Sequence, residues 1–316
     1  MTDTDYAETA YRPQSIPQLP AEVKRSLLGK LWRAGLRLPW ARRYQRLEPI
    51  ELINAGFDSR TNGILVDHQR WMEGHVGVLS KFLLVFTSFD SLPVMAFFLG
   101  GGLLTDIFLT LSSPPDWILG LWPFWGGVFA VGLLFRYLIN PVVNRNPRWI
   151  LKDKGDGFFR HTGMVRVYQG GGLYERPFVE FDCYVMNEPG YQGLPNMNMI
   201  LAHRYEPIQC YLHLVAPGES DTDQFYCAWE ALQRYMDVTE PLPDIPALEP
   251  YRDQDPSTVE HDRKTGRDPR YWRDMKAEHW HNHLATKHWK RLDKLKWSKQ
   301  RCLLDDYVDG RGKSAV

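Results

Sequence analysis

Hydrophobic and polar positions are strongly segregated along the chain. Residues 118–135 carry no charged side chain, and the apolar character continues past Arg136 to Ile139, the length a membrane-crossing helix needs. Trp117, Trp122 and Trp125 near its start and Tyr137 at its end stand where interfacial rings are expected. A second run, residues 82–111, is interrupted by Asp90 and Asp106. As a helix rising about 1.5 Å per residue it would be roughly 45 Å long, which places both aspartates toward the two interfaces. The pattern therefore predicts a transmembrane hairpin over residues 78–140. Gly100, Gly101 and Gly102 on one helix and Gly126 and Gly127 on the other form candidate small-residue faces for helix packing or partner contact.

After the hairpin the periodicity shortens. Residues 157–160, 164–168, 173–181, 199–204 and 208–215 read as strands, punctuated by Thr162-Gly163 and Gly170-Gly171-Gly172. Residues 221–237 place Phe225, Trp229, Leu232 and Met236 on one helical stripe, with a cap at Ser220 or Asp221. The expected fold class is thus a membrane protein, a transmembrane helical hairpin joined to a cytosolic α+β domain in which an antiparallel meander is closed by a helix. Four regions follow: an N-terminal segment to residue 77, the hairpin at 78–140, the α+β domain at 141–240, and a proline-rich linker with a basic, Trp-rich helical tail at 241–316.

Charge sets the orientation. The short segment between the apolar runs holds no Lys or Arg, whereas both outer flanks are rich in them, which predicts both ends on the cytoplasmic side of the membrane. The acidic start, Met1-Thr2-Asp3-Thr4-Asp5, does not read as a cleavable signal. Residues 23–46 alternate leucine and tryptophan with basic residues. They read as an amphipathic helix that either packs on the protein or lies on anionic lipid through Lys24, Arg25, Lys30, Trp32, Arg33 and Arg37. The 38 basic residues balance the 38 acidic ones, so no nucleic-acid partner is expected. Four separated cysteines, at 183, 210, 227 and 302, suggest neither a disulfide framework nor a zinc site but reduced thiols.

Chemistry-bearing motifs are sparse. His279 and His283 share a helical face at a spacing that can bind metal, but no carboxylate or cysteine is spaced to complete an obvious site, and no metal or cofactor is expected. Gly170-Gly171-Gly172 is followed by no Lys-Ser or Lys-Thr and reads as a hairpin turn rather than a phosphate cradle. No nucleophile elbow, kinase set or dinucleotide fingerprint occurs, and nothing in the sequence argues for an enzyme.

Element order is reminiscent of pleckstrin-homology-like domains attached to bacterial membrane hairpins. The stretches TGMVRVYQGGG at 162–172, GYQGLPNMN at 190–198 and AWEALQRYMD at 228–237 together resemble an uncharacterised group of bacterial two-span membrane proteins encoded near type VI secretion genes, often beside effectors similar to pore-forming toxins. The resemblance covers about residues 146–240 and, more loosely, the hairpin, and it carries no catalytic or binding residues. It implies that the membrane is a bacterial inner membrane, and a non-enzymatic role in interbacterial antagonism, foremost immunity against a membrane-acting effector. The alternatives are an adaptor or scaffold for an effector or secretion component, and a small oligomeric channel using Asp90 or Asp106.

Overall fold

The computed structural model describes residues 6–20, 35–57, 66–72, 75–76, 151–189, 195–212 and 222–308. The chain divides into two units, residues 1–74 with 153–316, and residues 75–152. In the second unit, β3 (His75–Val76) and β4 (Leu151–Lys152) pair antiparallel, His75 opposite Lys152, so the intervening segment begins and ends at neighbouring points.

Residues 82–111 and 118–139, with Gly100, Gly101, Gly102, Gly126 and Gly127, lie outside the described residues. Among those described, no helix is long and apolar enough to cross a membrane. The helix over Thr222–Met236 has 15 residues, and at about 1.5 Å each it reaches roughly 22 Å against the ~30 Å of a bilayer core. The membrane-hairpin fold class and the inner-membrane placement expected from the apolar runs are therefore corrected: the described fold is α+β, with two antiparallel sheets.

The larger unit begins its sheets with a pairing between segments nearly half the chain apart. β1 (Leu36–Arg37) lies beside β8 (Phe181–Pro189), Leu36 opposite Val185, and β9 (Pro195–His203) and β10 (Gln209–Tyr211) complete the first sheet in the order β1-β8-β9-β10. The second sheet runs β2 (Arg70–Trp71), β5 (Gly157–Phe159), β6 (Met164–Gln169), β7 (Gly172–Pro177). One meander was expected, and two sheets form because the apolar run from Leu173 does not continue as a strand. Pro177 ends β7, a 3-10 turn over Phe178–Glu180 follows, and the wholly buried Phe178 carries the chain through the core into the other sheet. The β6–β7 turn is Gly170-Gly171, with φ of 60° and 85°. Two successive positive φ values define the I′ turn whose twist matches a hairpin, and only glycine adopts them without strain.

Helix α1 (Ile50–Phe57) lies between β1 and β2 in the chain, and helix α2 (Thr222–Met236) is buried on every side from Gln224 to Met236. The predicted stripe of Phe225, Trp229, Leu232 and Met236 lies in the core, but the opposite face is also covered, by residues 38–50. That segment is irregular, with a bend at Arg42 and Arg43 and Arg46 at a φ of 55°, not a continuation of the helix expected over 23–46. Its backbone is satisfied by side chains of α2: Gln224 accepts the Ile50 N–H at 3.2 Å, Glu230 those of Gln45 and Arg46 at 2.8 Å each, and Gln233 that of Ala41 at 2.8 Å. The Trp229 indole and the Cys227 thiol donate to the Pro39 and Leu47 carbonyls, both at 3.0 Å. Pairing through side chains lets an irregular segment run alongside a helix without leaving polar backbone unmet. Trp40 anchors this strap, its ring 4.8 Å from Phe178 and 5.2 Å from Trp229.

The C-terminal region wraps this core. Asp255 caps α3 (Pro256–Thr265), accepting the Thr258 N–H at 3.0 Å, and Gly266 at φ 66° ends it. Short helices α4 (Tyr271–Asp274) and α5 (Ala277–His279), a π turn over Trp280–Leu284, and α6 (Ala285–Leu292) follow. Trp272, Trp280 and Trp297, in the tail expected to be basic, Trp-rich and helical, are buried, and the Trp280 indole donates to Asn54 at 2.9 Å.

Candidate functional site

Four buried arginines dominate the polar interior of the described residues, and each is consumed by its own chain, Arg252 by Asp262 at 2.7 Å and the Leu242 carbonyl. Arg160 sits beyond the C-terminus of α2. It donates to the Arg234, Tyr235, Asp237 and Glu240 carbonyls, and to Asp255 at 2.8 Å. Helix-end carbonyls lack intrahelical donors and carry partial negative charge, so a guanidinium answers both needs there. Burial alone would push the Asp255 carboxyl up, but Arg160, with Thr258 and Tyr6, holds it below the usual carboxylate range. Arg204 donates to Asp182 and to the Val179 and Phe181 carbonyls. Arg234 meets Glu48 through two nitrogens, at 3.0 and 2.5 Å.

Groups with nucleophilic or general-base character are also engaged. His203 Nε2 lies 2.8 Å from Glu180, an arrangement that resembles a catalytic dyad. Its Nδ1, however, accepts the Tyr205 and Glu206 backbone N–H groups at 3.3 and 3.0 Å. Those bonds place the ring proton on Nε2 and leave the imidazole locking a turn. The cysteines are free thiols. Burial pushes Cys183, Cys227 and Cys302 up, away from the thiolate form that attacks. Among the described residues, no group of three or more His, Cys, Asp or Glu is placed to hold a metal.

The surface differs. In β5–β6–β7, Phe158, Val165 and Val167 turn into the core with Trp71 of β2, while Arg70, Phe159, Arg166, Tyr168, Leu173 and Glu175 share the outer face by register. On that face Arg166 stacks on Phe159 at 4.3 Å, Arg70 reaches the same ring at 5.3 Å, and Lys154 lies 4.0 Å over Tyr168. Arg70 pairs with Asp153 at 2.7 Å and Arg166 with Glu175 at 3.3 Å, so charge is nearly balanced there, unlike a nucleic-acid surface.

Beside this face runs the edge strand β7, which keeps Leu173 47% and Tyr174 41% exposed. In a two-residue hairpin the closing pair, Gln169 and Gly172, is hydrogen-bonded and the pairs then alternate. The N–H and C=O groups of Leu173 and Glu175 are consequently directed away from β6, toward an edge that no described strand pairs, where the Arg176 side chain donates to the Glu175 carbonyl at 2.7 Å. The edge of the first sheet is treated differently: the Gln169 side chain accepts the Gln209 N–H of β10 at 3.0 Å and donates to the Pro207 carbonyl at 3.1 Å, covering it.

Of the residues singled out by sequence, Lys24, Arg25, Lys30, Trp32 and Arg33 lie outside the described residues, as do the five hairpin glycines. Arg37 is described. Its guanidinium lies 3.7 Å from Asp182, 3.6 Å from Asp305 and 3.3 Å from the Cys302 sulfur, engaged with the protein's own groups. Sequence reasoning found the glycine turn beside β7 but not the open edge, because alternation does not reveal which strand ends a sheet. Comparison with family models, curated proteins and solved structures returns no match for this chain.

Proposed function

We propose that the protein acts by binding another protein rather than by catalysis, as an adaptor that takes an extended segment of its partner against β7. The edge left unpaired among the described residues carries this reading: β7 is fully formed, flanked by exposed Leu173 and Tyr174, and presents both backbone groups of Leu173 and the N–H of Glu175 outward, the Glu175 carbonyl being held by Arg176. Natural sheets usually blunt such an edge, as Gln169 does for β10. An added strand would gain main-chain hydrogen bonds from β7, with alternate side chains meeting Leu173 on one face and Tyr174 on the other. The motif at 162–172, which resembles proteins encoded near type VI secretion genes, builds β6 and the turn into this edge. We take the partner to be an effector or a secretion component.

Glu175→Pro tests the proposal directly. Proline removes the outward N–H of residue 175 and none that bonds to β6, so the hairpin survives while the edge loses a donor. Wild type, Glu175→Pro and Glu175→Gln are used to capture proteins from producing cells, with quantitative mass spectrometry. A protein retained by wild type and Glu175→Gln but lost with Glu175→Pro supports the adaptor reading. Capture that is the same for all three, or empty for all three, overturns it.

A further inference from the structure

Helix α5 and the π turn hold His279 and His283 side by side on the exposed surface, with ring centres 5.3 Å apart and planes inclined by 46°. Among the described residues no hydrogen-bonding or charged partner engages either imidazole, whereas His288, on the covered side, contacts the Glu48 carbonyl at 2.6 Å. We propose that His279 and His283 chelate one divalent transition-metal ion of the class that prefers imidazole, such as Zn²⁺, Ni²⁺ or Cu²⁺. With metal–nitrogen bonds of about 2.0–2.1 Å, two imidazoles on a tetrahedral ion have ring centres roughly 5 Å apart, close to the separation here.

The support beneath the pair is rigid. Trp280 is buried, its ring centre 5.7 Å from that of Trp272, and its indole N–H holds Asn54 at 2.9 Å. The Ala285 N–H reaches back to the Trp280 carbonyl, the wider closure of a π turn, a feature that recurs at functional sites. Two nitrogens are thus presented with little left to order on binding, which favours chelation. No third protein ligand is grouped with them among the described residues, so the remaining positions stay open to water or to a side chain brought by another molecule. A hard ion such as Mg²⁺ or Ca²⁺ would find no carboxylate set here.

The test uses the full chain, stripped with a chelator and titrated with ZnCl₂ by calorimetry. His279→Ala and His283→Ala should each lose the binding of one ion relative to wild type, and His281→Ala should keep it. All three positions are exposed, so the unfolding midpoints of the variants should match wild type and separate lost ligation from lost folding. The proposal is overturned if wild type takes up no Zn²⁺, if either His279→Ala or His283→Ala binds as wild type does, or if His281→Ala loses the ion as well.

Discussion

Helix α2 and strand β7 treat their polar groups in opposite ways. Around α2 the polar groups are spent within the chain: Glu230, Gln233 and Gln224 serve the backbone of residues 41–50, and Arg160 gathers the carbonyls at the helix end. Along β7 both backbone groups of Leu173 and the N–H of Glu175 point away from β6, and the side chains of Leu173 and Tyr174 stay exposed. A group matched inside contributes to folding and is lost to recognition, whereas a group left at an edge contributes little to folding and stays available. Stability and binding should therefore separate cleanly between the two regions.

The largest effect is expected at Arg160. Arg160→Leu leaves the buried Asp255 carboxylate and the helix-end carbonyls without their donor, and a loss of about 3–5 kcal/mol is expected, read by chemical denaturation. A loss below about 1 kcal/mol, the size of an exposed ion pair, would show that the hub is not the keystone described. Glu230→Ala comes next. It strands the Gln45 and Arg46 N–H groups, and Arg46 already stands at a φ of 55°, so roughly 1–3 kcal/mol should go, part of it recovered by Glu230→Gln.

A smaller, pH-dependent effect belongs to His288. Burial, set against the Glu48 carbonyl and the Glu48 charge, holds its imidazole below the ordinary histidine value, with Arg291 adding to the depression. Its contribution is therefore whole above about pH 6.5, the unfolded value, and is eroded as pH falls from there toward the folded value, because the unfolded chain takes the proton first. Buried Glu230 and Asp237, raised by burial, act in the opposite sense at lower pH. The difference between wild type and His288→Gln, followed from pH 7.5 to 5.5, isolates the histidine. A constant difference over that range would remove it as the cause. Least of all should Glu175→Pro disturb folding, by within about 0.5 kcal/mol, even though the adaptor reading requires it to abolish partner capture.

Much of the local structure is legible along the chain. The β6–β7 hairpin follows from Gly170-Gly171 between alternating strands, and α2 from its apolar stripe. The irregular course of residues 38–50 is not legible, because leucine and tryptophan at helical spacing look alike whether the backbone bonds to itself or to a distant partner. Here the partners, Gln224, Glu230 and Gln233, lie more than 170 residues away. The tail tryptophans were misplaced for the same reason. Trp280 reads as one aromatic on a basic helix, and Asn54 and Phe57, which receive it, stand far earlier in the chain.

Sequence alone thus determined which residues turn, which alternate and which fill one face of α2, since these depend on φ preferences and on periods of two and 3.6 residues. Tertiary structure decided that Pro177 and Phe178 send the chain into a second sheet, that Gln169 covers one edge while β7 keeps its own open, and that His279 and His283 stand free beside an anchored Trp280. Each of those outcomes depends on what a residue meets across the fold, and periodicity records only that it is covered.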